Sequence, residues 1–578
     1  LGRLNLAEPP PHAVFFAEHH HIRNHGEEQT MATSEGAVAA GGSAGAPATG
    51  QVESKGLKSN AIGFVSNVVI ATASVAPAYS LAATLGFIAL DPGVATHAPG
   101  VLLAAFVPIF LVSLAYRYLN KSDPDAGTTF AWTTRAFGPG TGWINGWAIF
   151  LADVLVMASL AYIAATYTFK LFDWHWAESH AGAALVGSIL WILLMTWICH
   201  RGIELSARIQ QLLLSFEIAM LSIFAIVALV DVYTGNPSHS VEPQASWFNP
   251  FAIPFHDLVV ALLLGIFIYW GWDSGVAVNE ESEDANEGPG RAAVVSTLLL
   301  VAIYLVVSAG AQAYHGAGFL ANEENAGDVL NALGKGVLGS VGVKFLIVAV
   351  LTSAAASTQT TILPTARTTL SMARWGAIPS VIGKIHPRFL TPTVSTWGFG
   401  LLSIAVAVPL ILISETVLEL AVVALGIPVC LYYGTTGFAC AWYYRRELFT
   451  SVRKFVLVGL APVVGGLMFY GIGIYAITYY AHKANAEGKI YGGLTLPIWF
   501  GGIGMILGVV LMLISRPFFR TFFSRRTETA PPGLLDAPVE RAPTRLMGAE
   551  HVTHGAHLLT PETEAPTHEP PPPRGPDG

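Results

Sequence analysis

Apolar residues in this chain recur in runs of about 20, parted by short polar stretches that hold most of the charges. A run of that length, wound as a helix, crosses a hydrocarbon core of roughly 30 Å. Twelve spans are predicted, at residues 62–90, 100–118, 141–171, 184–200, 205–232, 258–279, 292–314, 340–372, 394–413, 416–443, 455–480 and 495–515. The flanks are of another kind. Residues 1–58 are rich in Ala, Gly, Ser and His, and 521–578 are rich in Pro, Glu and Thr. Neither has the apolar content to form a core, so both are expected to be disordered tails around a twelve-span domain at 59–520. The pattern predicts an all-α polytopic membrane protein.

Composition sharpens this picture. Hydrophobic residues make up 53% of the chain and charged residues 12%, about half the charged share of a soluble domain. The mean hydropathy is +0.54. The net charge of −8 carries little weight, because the acidic excess lies mainly in tails and loops. Cys199, Cys430 and Cys440 sit in or at the ends of apolar spans with no metal or disulfide spacing. The first 60 residues hold no apolar core ahead of a small-residue cleavage site, so no cleaved signal peptide is expected. Met31 is an alternative start that would leave residues 1–30 untranslated. Basic residues set the orientation. With the N-terminus inside, twenty Lys and Arg fall in cytoplasmic segments, against Lys170, Lys335, Lys344, Lys483 and Lys489 outside. Both termini are therefore expected in the cytoplasm, and the chain in the inner membrane.

Two spans are interrupted. Span 1 carries Ala73-Ser74-Val75-Ala76-Pro77 at its middle, small residues with a proline that lacks a backbone donor. In span 6, Gly271 and Gly275 bracket Trp272, Asp273 and Ser274, just after Tyr269 and Trp270. The breaks occupy corresponding places in two halves, 62–232 and 258–445, with the spans at 455–515 appended. Backbone freed at membrane depth is tolerated where it lines a cavity, and paired breaks in two halves point to a midplane site between inverted repeats. Simple kinks are the competing reading, far weaker for a matched pair than for either break alone.

Ionisable groups at membrane depth are functional candidates by default. Asp273, beside aromatic rings, suits an organic cation through ion pairing and cation–π attraction; alternatively it caps the second half-helix of span 6. Glu217 in span 5 could carry a coupling proton or help hold sodium, or be a protonated acid bonded to a neighbouring helix. Asp153 in span 3 shares a helical face with Asn145. In span 8, Ser353 and Ser357, with Thr352, Thr358 and Thr361, form a row of hydroxyls that fits a sodium site or close helix packing. The acidic run Glu280, Glu281, Glu283, Asp284 and Glu287, with Arg291, is expected to be a solvated cluster pairing with Arg135 or Arg367. The His-rich stretch 18–25 lacks partner ligands, and no metal, nucleotide-binding or nucleophile motif occurs. No cofactor, enzymatic activity or nucleic-acid partner is expected; the partners are a small-molecule substrate and the bilayer.

Four stretches in order carry a resemblance: "PDAGTTFAWTTRAFGPGTGWINGW" (124–147), "RGIELSARIQQ" (201–211), "YWGWDSGVAVNEESEDANEGPGRAA" (269–293) and "TARTTLSMARWGAIPSVIGKIHPRFLTPTVS" (365–395). They resemble the corresponding segments of amino acid–polyamine–organocation permeases. The resemblance implies a leucine-transporter-like fold of five plus five inverted spans with two more appended. It also implies a permease for an amino acid or amine, driven by a proton or sodium gradient or by exchange. Ala73, Ser74, Val75, Ala76 and Pro77, with Tyr269, Trp270, Gly271, Trp272 and Asp273, would then line the substrate site. Two departures stand out. The Gly-Ser/Thr-Gly signature of span 1 is replaced by Ala73–Pro77, and the position of a span 5 lysine common in the family matches Glu217. A transporter of another small solute on this fold, or a sensor that binds without transport, remains the alternative.

Overall fold

The computed structural model describes residues 55–535 except 236, 414–416, 483–489, 492 and 532. The histidine-rich stretch, Met31 and most of both expected tails lie outside the described residues.

Among the described residues, twelve helices are long and apolar enough to cross a membrane. Spans 1 to 6 are Phe64–Leu90, Ala95–Ser122, Pro139–Leu171, Ala181–Arg201, Ile203–Thr234 and Phe255–Ala277. Spans 7 to 12 are Gly288–His315, Val329–Arg374, Thr393–Leu412, Val423–Tyr443, Val452–Ala481 and Ile498–Ser515. Most boundaries match the hydropathy runs closely. Span 8 differs, because its helix begins at Val329 rather than near residue 340. The extra turns bury Val329, Leu330, Leu333 and Val337 on one side, and Gly339 at φ 73 sets them at an angle to the rest. Their mixture of apolar and polar residues, amphipathic rather than uniformly apolar, hides them from a hydropathy run.

The depth of burial sorts the spans. Spans 1 and 3 have 89% and 83% of their apolar windows buried, against 39% for spans 4 and 5 and 17% for span 12. The first two are central and the others face outward, with Leu190, Leu212, Ile226 and Ile514 more than half exposed. Lipid tails are as apolar as leucine, so such exposure carries no solvation cost in a bilayer. The largest core cluster joins Val75, Tyr79 and Leu85 of span 1 with Tyr269 and Trp272 of span 6 and Tyr432 and Tyr433 of span 10. A two-stranded antiparallel hairpin, with Ile490 opposite Thr495 and Tyr491 opposite Leu494, precedes span 12.

Both expected tail boundaries move outward. Lys55 and Leu57 are buried, and the segment after span 12 forms a short helix, Arg520–Phe523, with Phe522 buried. Glu528 donates its backbone N–H to the Arg135 carbonyl at 2.7 Å, and its carboxylate pairs with the Arg135 guanidinium at 2.6 Å. The ordered domain thus reaches past 59–520 at each end, held by ion pairs that hydropathy cannot register.

Candidate functional site

Span 1 is two helices, Phe64–Ser74 and Pro77–Leu90. Pro77 opens the second, where its missing N–H costs nothing. Ala76 stands at φ 51, ψ 65, left-handed backbone that costs a non-glycine residue about 1–3 kcal/mol and persists where surroundings enforce it. Here neighbouring spans do. The Ala78 N–H donates to Glu217 Oε1 of span 5 at 2.7 Å. The Tyr79 N–H donates to Ser353 Oγ of span 8 at 3.2 Å, and that hydroxyl donates in turn to Glu217 Oε1 at 2.7 Å. The Val75, Ala76 and Ser80 N–H groups find the Thr72, Ala73 and Ala76 carbonyls. The Ser74 carbonyl accepts from Ser357 Oγ at 2.8 Å and the Val75 carbonyl from Ser80 Oγ at 2.7 Å. Every donor freed by the break is thereby paired, as backbone at membrane depth requires.

Span 6 runs as a helix over Phe255–Tyr269, turns through Gly271 and resumes as Ser274–Ala277. Gly271 is needed twice over. Its φ is +118, and a Cβ there would lie 2.9 Å from the Ser74 carbonyl oxygen. The two breaks touch at this point, and Ser74 Oγ and Ser274 Oγ share a hydrogen bond of 2.7 Å.

A small cavity opens beside this contact. Its polar lining comes from Ser74, Asp153, Asp273, Ser274, Thr361 and Tyr432, its apolar lining from Ile149, Trp270 and Pro364, with Gly271 between. Asp273 occupies the N-cap position of Ser274–Ala277, yet its side chain makes no capping bond. Its carboxylate instead accepts from Tyr433 Oη at 2.8 Å and more distantly from Tyr432 Oη at 3.5 Å. Tyr432 also accepts from Trp270 Nε1, so the indole, the phenol and the carboxylate are chained together. Asp153 accepts from Thr365 Oγ1.

One end of the bundle is closed by buried ion pairs. Arg367, three residues beyond Pro364 on span 8, forms a two-pronged pair with Glu281, the side chains 1% and 0% exposed. Lys55 bridges Asp125, at 2.8 Å, and Glu280. Asp125 also accepts from Ser371 Oγ at 2.6 Å, Trp375 Nε1 at 2.9 Å and the Gly127 N–H at 2.7 Å. Burial pushes the Asp125 carboxyl upward, but Lys55 and these donors outweigh it and hold it down at about 2. The expected acidic cluster holds in part, since Glu281 pairs with Arg367 and Glu283 and Asp284 are exposed, and the remainder is corrected. Glu280 and Glu281 are enclosed, Arg135 pairs with Asp123 and Glu528 instead, and Arg291 lies over the Phe64 ring.

Of the residues singled out from sequence, Ser74, Trp270, Gly271, Asp273, Ser274, Asp153 and Thr361 meet at the cavity. Tyr269 and Trp272 do not. Both are fully buried, Tyr269 edge-on to Tyr304 and Trp272 stacked on Tyr433. Ala73, Val75, Ala76 and Pro77 shape the break without facing the cavity. Glu217 and Ser353 come together behind it, at the start of the second half-helix of span 1. Ser357 reaches the Ser74 carbonyl, while Thr352 and Thr358 bond to their own helix. Asn145 bonds to the Thr141 carbonyl of its own helix rather than extending a polar line from Asp153. Tyr432 and Tyr433 were not anticipated. Their positions in an apolar span carry no charge or break, and only their partner Asp273 marks them.

The family model for "Amino acid permease" matches residues 61–491. The chain is 24% identical over 429 residues to the branched-chain amino acid permease BcaP of Lactococcus lactis, an alignment covering 70% of this chain and 85% of that one. It is 27% identical over 313 residues to human Asc-type amino acid transporter 1, covering 52% and 58%. It is 25% identical over 336 residues to the methylthioribose transporter of Bacillus subtilis, covering 54% and 68%. With a match across both broken spans and twelve apolar helices, this chain is a multi-pass membrane protein that belongs to the amino acid permease family.

Proposed function

We propose that the protein carries an amino acid or organic amine across the cell membrane by alternating access around the two breaks, and that both its termini are cytoplasmic. One observation carries the reading of the site. A carboxylate, Asp273, and an indole, Trp270, line one cavity where two broken helices meet. An ammonium placed there gains an ion pair and a cation–π contact together. The amino acid substrates named for two of the relatives support the same class. In this reading the halves rock about the cavity, and the Arg367–Glu281 and Lys55–Asp125–Glu280 pairs must part when that end opens.

Coupling is assigned to Glu217. It is buried, has one carboxylate oxygen without a partner, and sits against the moving break of span 1, where a proton gained or lost would alter the hold on Ala78. Ser353 and Ser357, at the same break, are the groups a coupling sodium ion would use, and Asp153 is a second proton acceptor open to the cavity. No cofactor takes part. A neutral solute is the second reading, favoured by the methylthioribose transporter among the relatives.

Uptake into proteoliposomes tests the site through Asp273→Asn, which keeps the shape and the tyrosine contacts but removes the charge. Losing one partner of a desolvated charge pair costs about 2–5 kcal/mol, roughly 30-fold to several thousand-fold in affinity. An amine substrate should lose that much and an uncharged analogue little. Parent-like binding of both by folded protein would end the amine-site reading.

A further inference from the structure

Away from the cavity, we infer that the turn between spans 4 and 5 and the loop between spans 8 and 9 together hold the head group of an anionic phospholipid. The turn passes through Gly202 at φ +131. The loop is fastened to it, since Thr391 Oγ1 donates to the His200 carbonyl at 2.9 Å. The loop also closes on itself, with the His386 N–H donating to the Thr391 carbonyl at 2.9 Å. Phe389 is thereby set beside the end of span 4, and two guanidiniums gather at its ring. Arg201 lies 5.1 Å and Arg388 5.6 Å from the centroid, and Arg201 is also 5.2 Å from that of Trp197. Such ring contacts orient a guanidinium without neutralising it. Both arginines are exposed, and among the described residues no carboxylate pairs with either. Glu204 is the one acid between residues 196 and 211, and it is taken by Lys58 at 2.7 Å; residues 376–397 contain none. His200 Nδ1, buried at the same junction, has no partner. Two oriented, unpaired guanidinium forks side by side match the oxygens of a phosphate.

The helix leading to Arg201 makes that phosphate a lipid's. Val186, Leu190, Leu194 and Trp197 are exposed and follow one another at steps of 4, 4 and 3, with Arg201 four residues further on. They form one outward stripe that ends in the guanidinium. From Val186 to Trp197 it is about 16 Å long, the depth of one leaflet of a hydrocarbon core of roughly 30 Å. An acyl chain laid along the stripe brings its phosphate to Arg201 and Arg388. A second copy of this chain fits the face poorly, because a two-fold contact would set the arginines against their own copies.

The test is equilibrium binding of labelled phosphatidylglycerol to the purified full chain in detergent, competed by unlabelled compounds. Phosphatidylglycerol should compete at least tenfold better than phosphatidylcholine, whose head group is neutral, and than glycerol phosphate, which lacks the chains. Arg201→Gln with Arg388→Gln should weaken binding about 30-fold, and Arg388→Gln alone, on an exposed loop where folding is not at stake, about fivefold. The same two changes at Arg453 and Arg526, exposed arginines elsewhere at this end, should change it less than about twofold. Equal competition by phosphatidylcholine overturns the inference, as does an equal loss from the Arg453 and Arg526 pair, which would mean surface charge alone. Glycerol phosphate competing as well as the lipid would make the ligand a soluble phosphate and overturn it too. So would self-association through this face with no lipid bound.

Discussion

Replacing Lys55 by Met is the sharpest test of how the closed end is held. Lys55 is a residue from the hydrophilic N-terminal stretch, yet its side chain is only 5% exposed and faces two carboxylates, Asp125 and Glu280. Methionine fills much the same volume without the charge, so the change isolates the electrostatics. Removing one partner of a buried ion pair costs about 3–5 kcal/mol, because the other charge stays buried and uncompensated. The lower part of that range applies. Asp125 keeps three donors, from Ser371, Trp375 and Gly127, whereas Glu280 keeps the Ala126 N–H at 2.9 Å. The variant should therefore unfold at clearly lower temperature, read by fluorescence of the 14 tryptophans in detergent. The pH profile adds a signature. Burial pushes Glu280 up even with Lys55 present, and without the ammonium it rises further. Between its unfolded and folded pKa values the native state then holds the extra proton, so stability falls as pH rises through that window. The deficit of Lys55→Met should thus be largest at neutral pH and shrink toward pH about 5. Asp125 behaves in the opposite sense in the parent. Its depressed value of about 2 gives stability that is full above the unfolded value of about 4 and lost as pH falls toward the folded one. Adding Glu280→Gln to Lys55→Met should recover part of the loss. A Lys55→Met protein within about 0.5 kcal/mol of the parent, the worth of an exposed pair, with no pH dependence of the difference, would refute a buried ion-pair latch.

Glu217→Gln retains an acceptor for Ala78 and removes the charge; pH-gradient-driven accumulation should disappear while exchange persists, and unchanged accumulation would leave Glu217 only the role of pairing the break. Gly271→Ala puts a methyl 2.9 Å from the Ser74 carbonyl oxygen at φ +118, and should cost about 1–3 kcal/mol of thermal stability along with uptake; a melt like the parent's would show that the breaks do not pack this closely. For orientation, cysteines replacing Lys335 and Lys384 in a background lacking Cys199, Cys430 and Cys440 should differ. The first should react with an impermeant thiol reagent in intact cells and the second only after lysis, and the reverse pattern would invert the topology drawn from basic residues.

Some of this molecule is written along the chain and some only across it. The twelve apolar runs determine twelve membrane helices because a bilayer imposes one length and one polarity on whatever crosses it. Likewise Pro77 and Gly271 betray the two breaks, since a missing N–H and a positive φ are properties of single residues. Asp273 was legible as a candidate by the cost of a carboxylate at membrane depth. What it does there was not. Capping and facing the cavity are equally compatible with the residue order, and the choice falls to Tyr433 and Tyr432, some 160 residues away, whose hydroxyls draw the carboxylate off its own helix. The same holds for Trp270 and Trp272, two residues apart and alike in sequence. One lines the cavity and the other is stacked on Tyr433, because the turn at Gly271 redirects the chain between them. Glu217 reads from sequence as an isolated acid in span 5, and only the packing of spans 1, 5 and 8 brings its carboxyl group to the start of a half-helix. Lys55 looks like part of a solvated tail until Asp125 and Glu280, 70 and 225 positions on (125 − 55 and 280 − 55), converge on it. Hydropathy and backbone preference act locally, so the sequence by itself determines where the chain crosses and where it breaks. Ion pairing and hydrogen bonding act between whichever groups the fold brings within about 3 Å, so tertiary structure alone decides which polar residues meet.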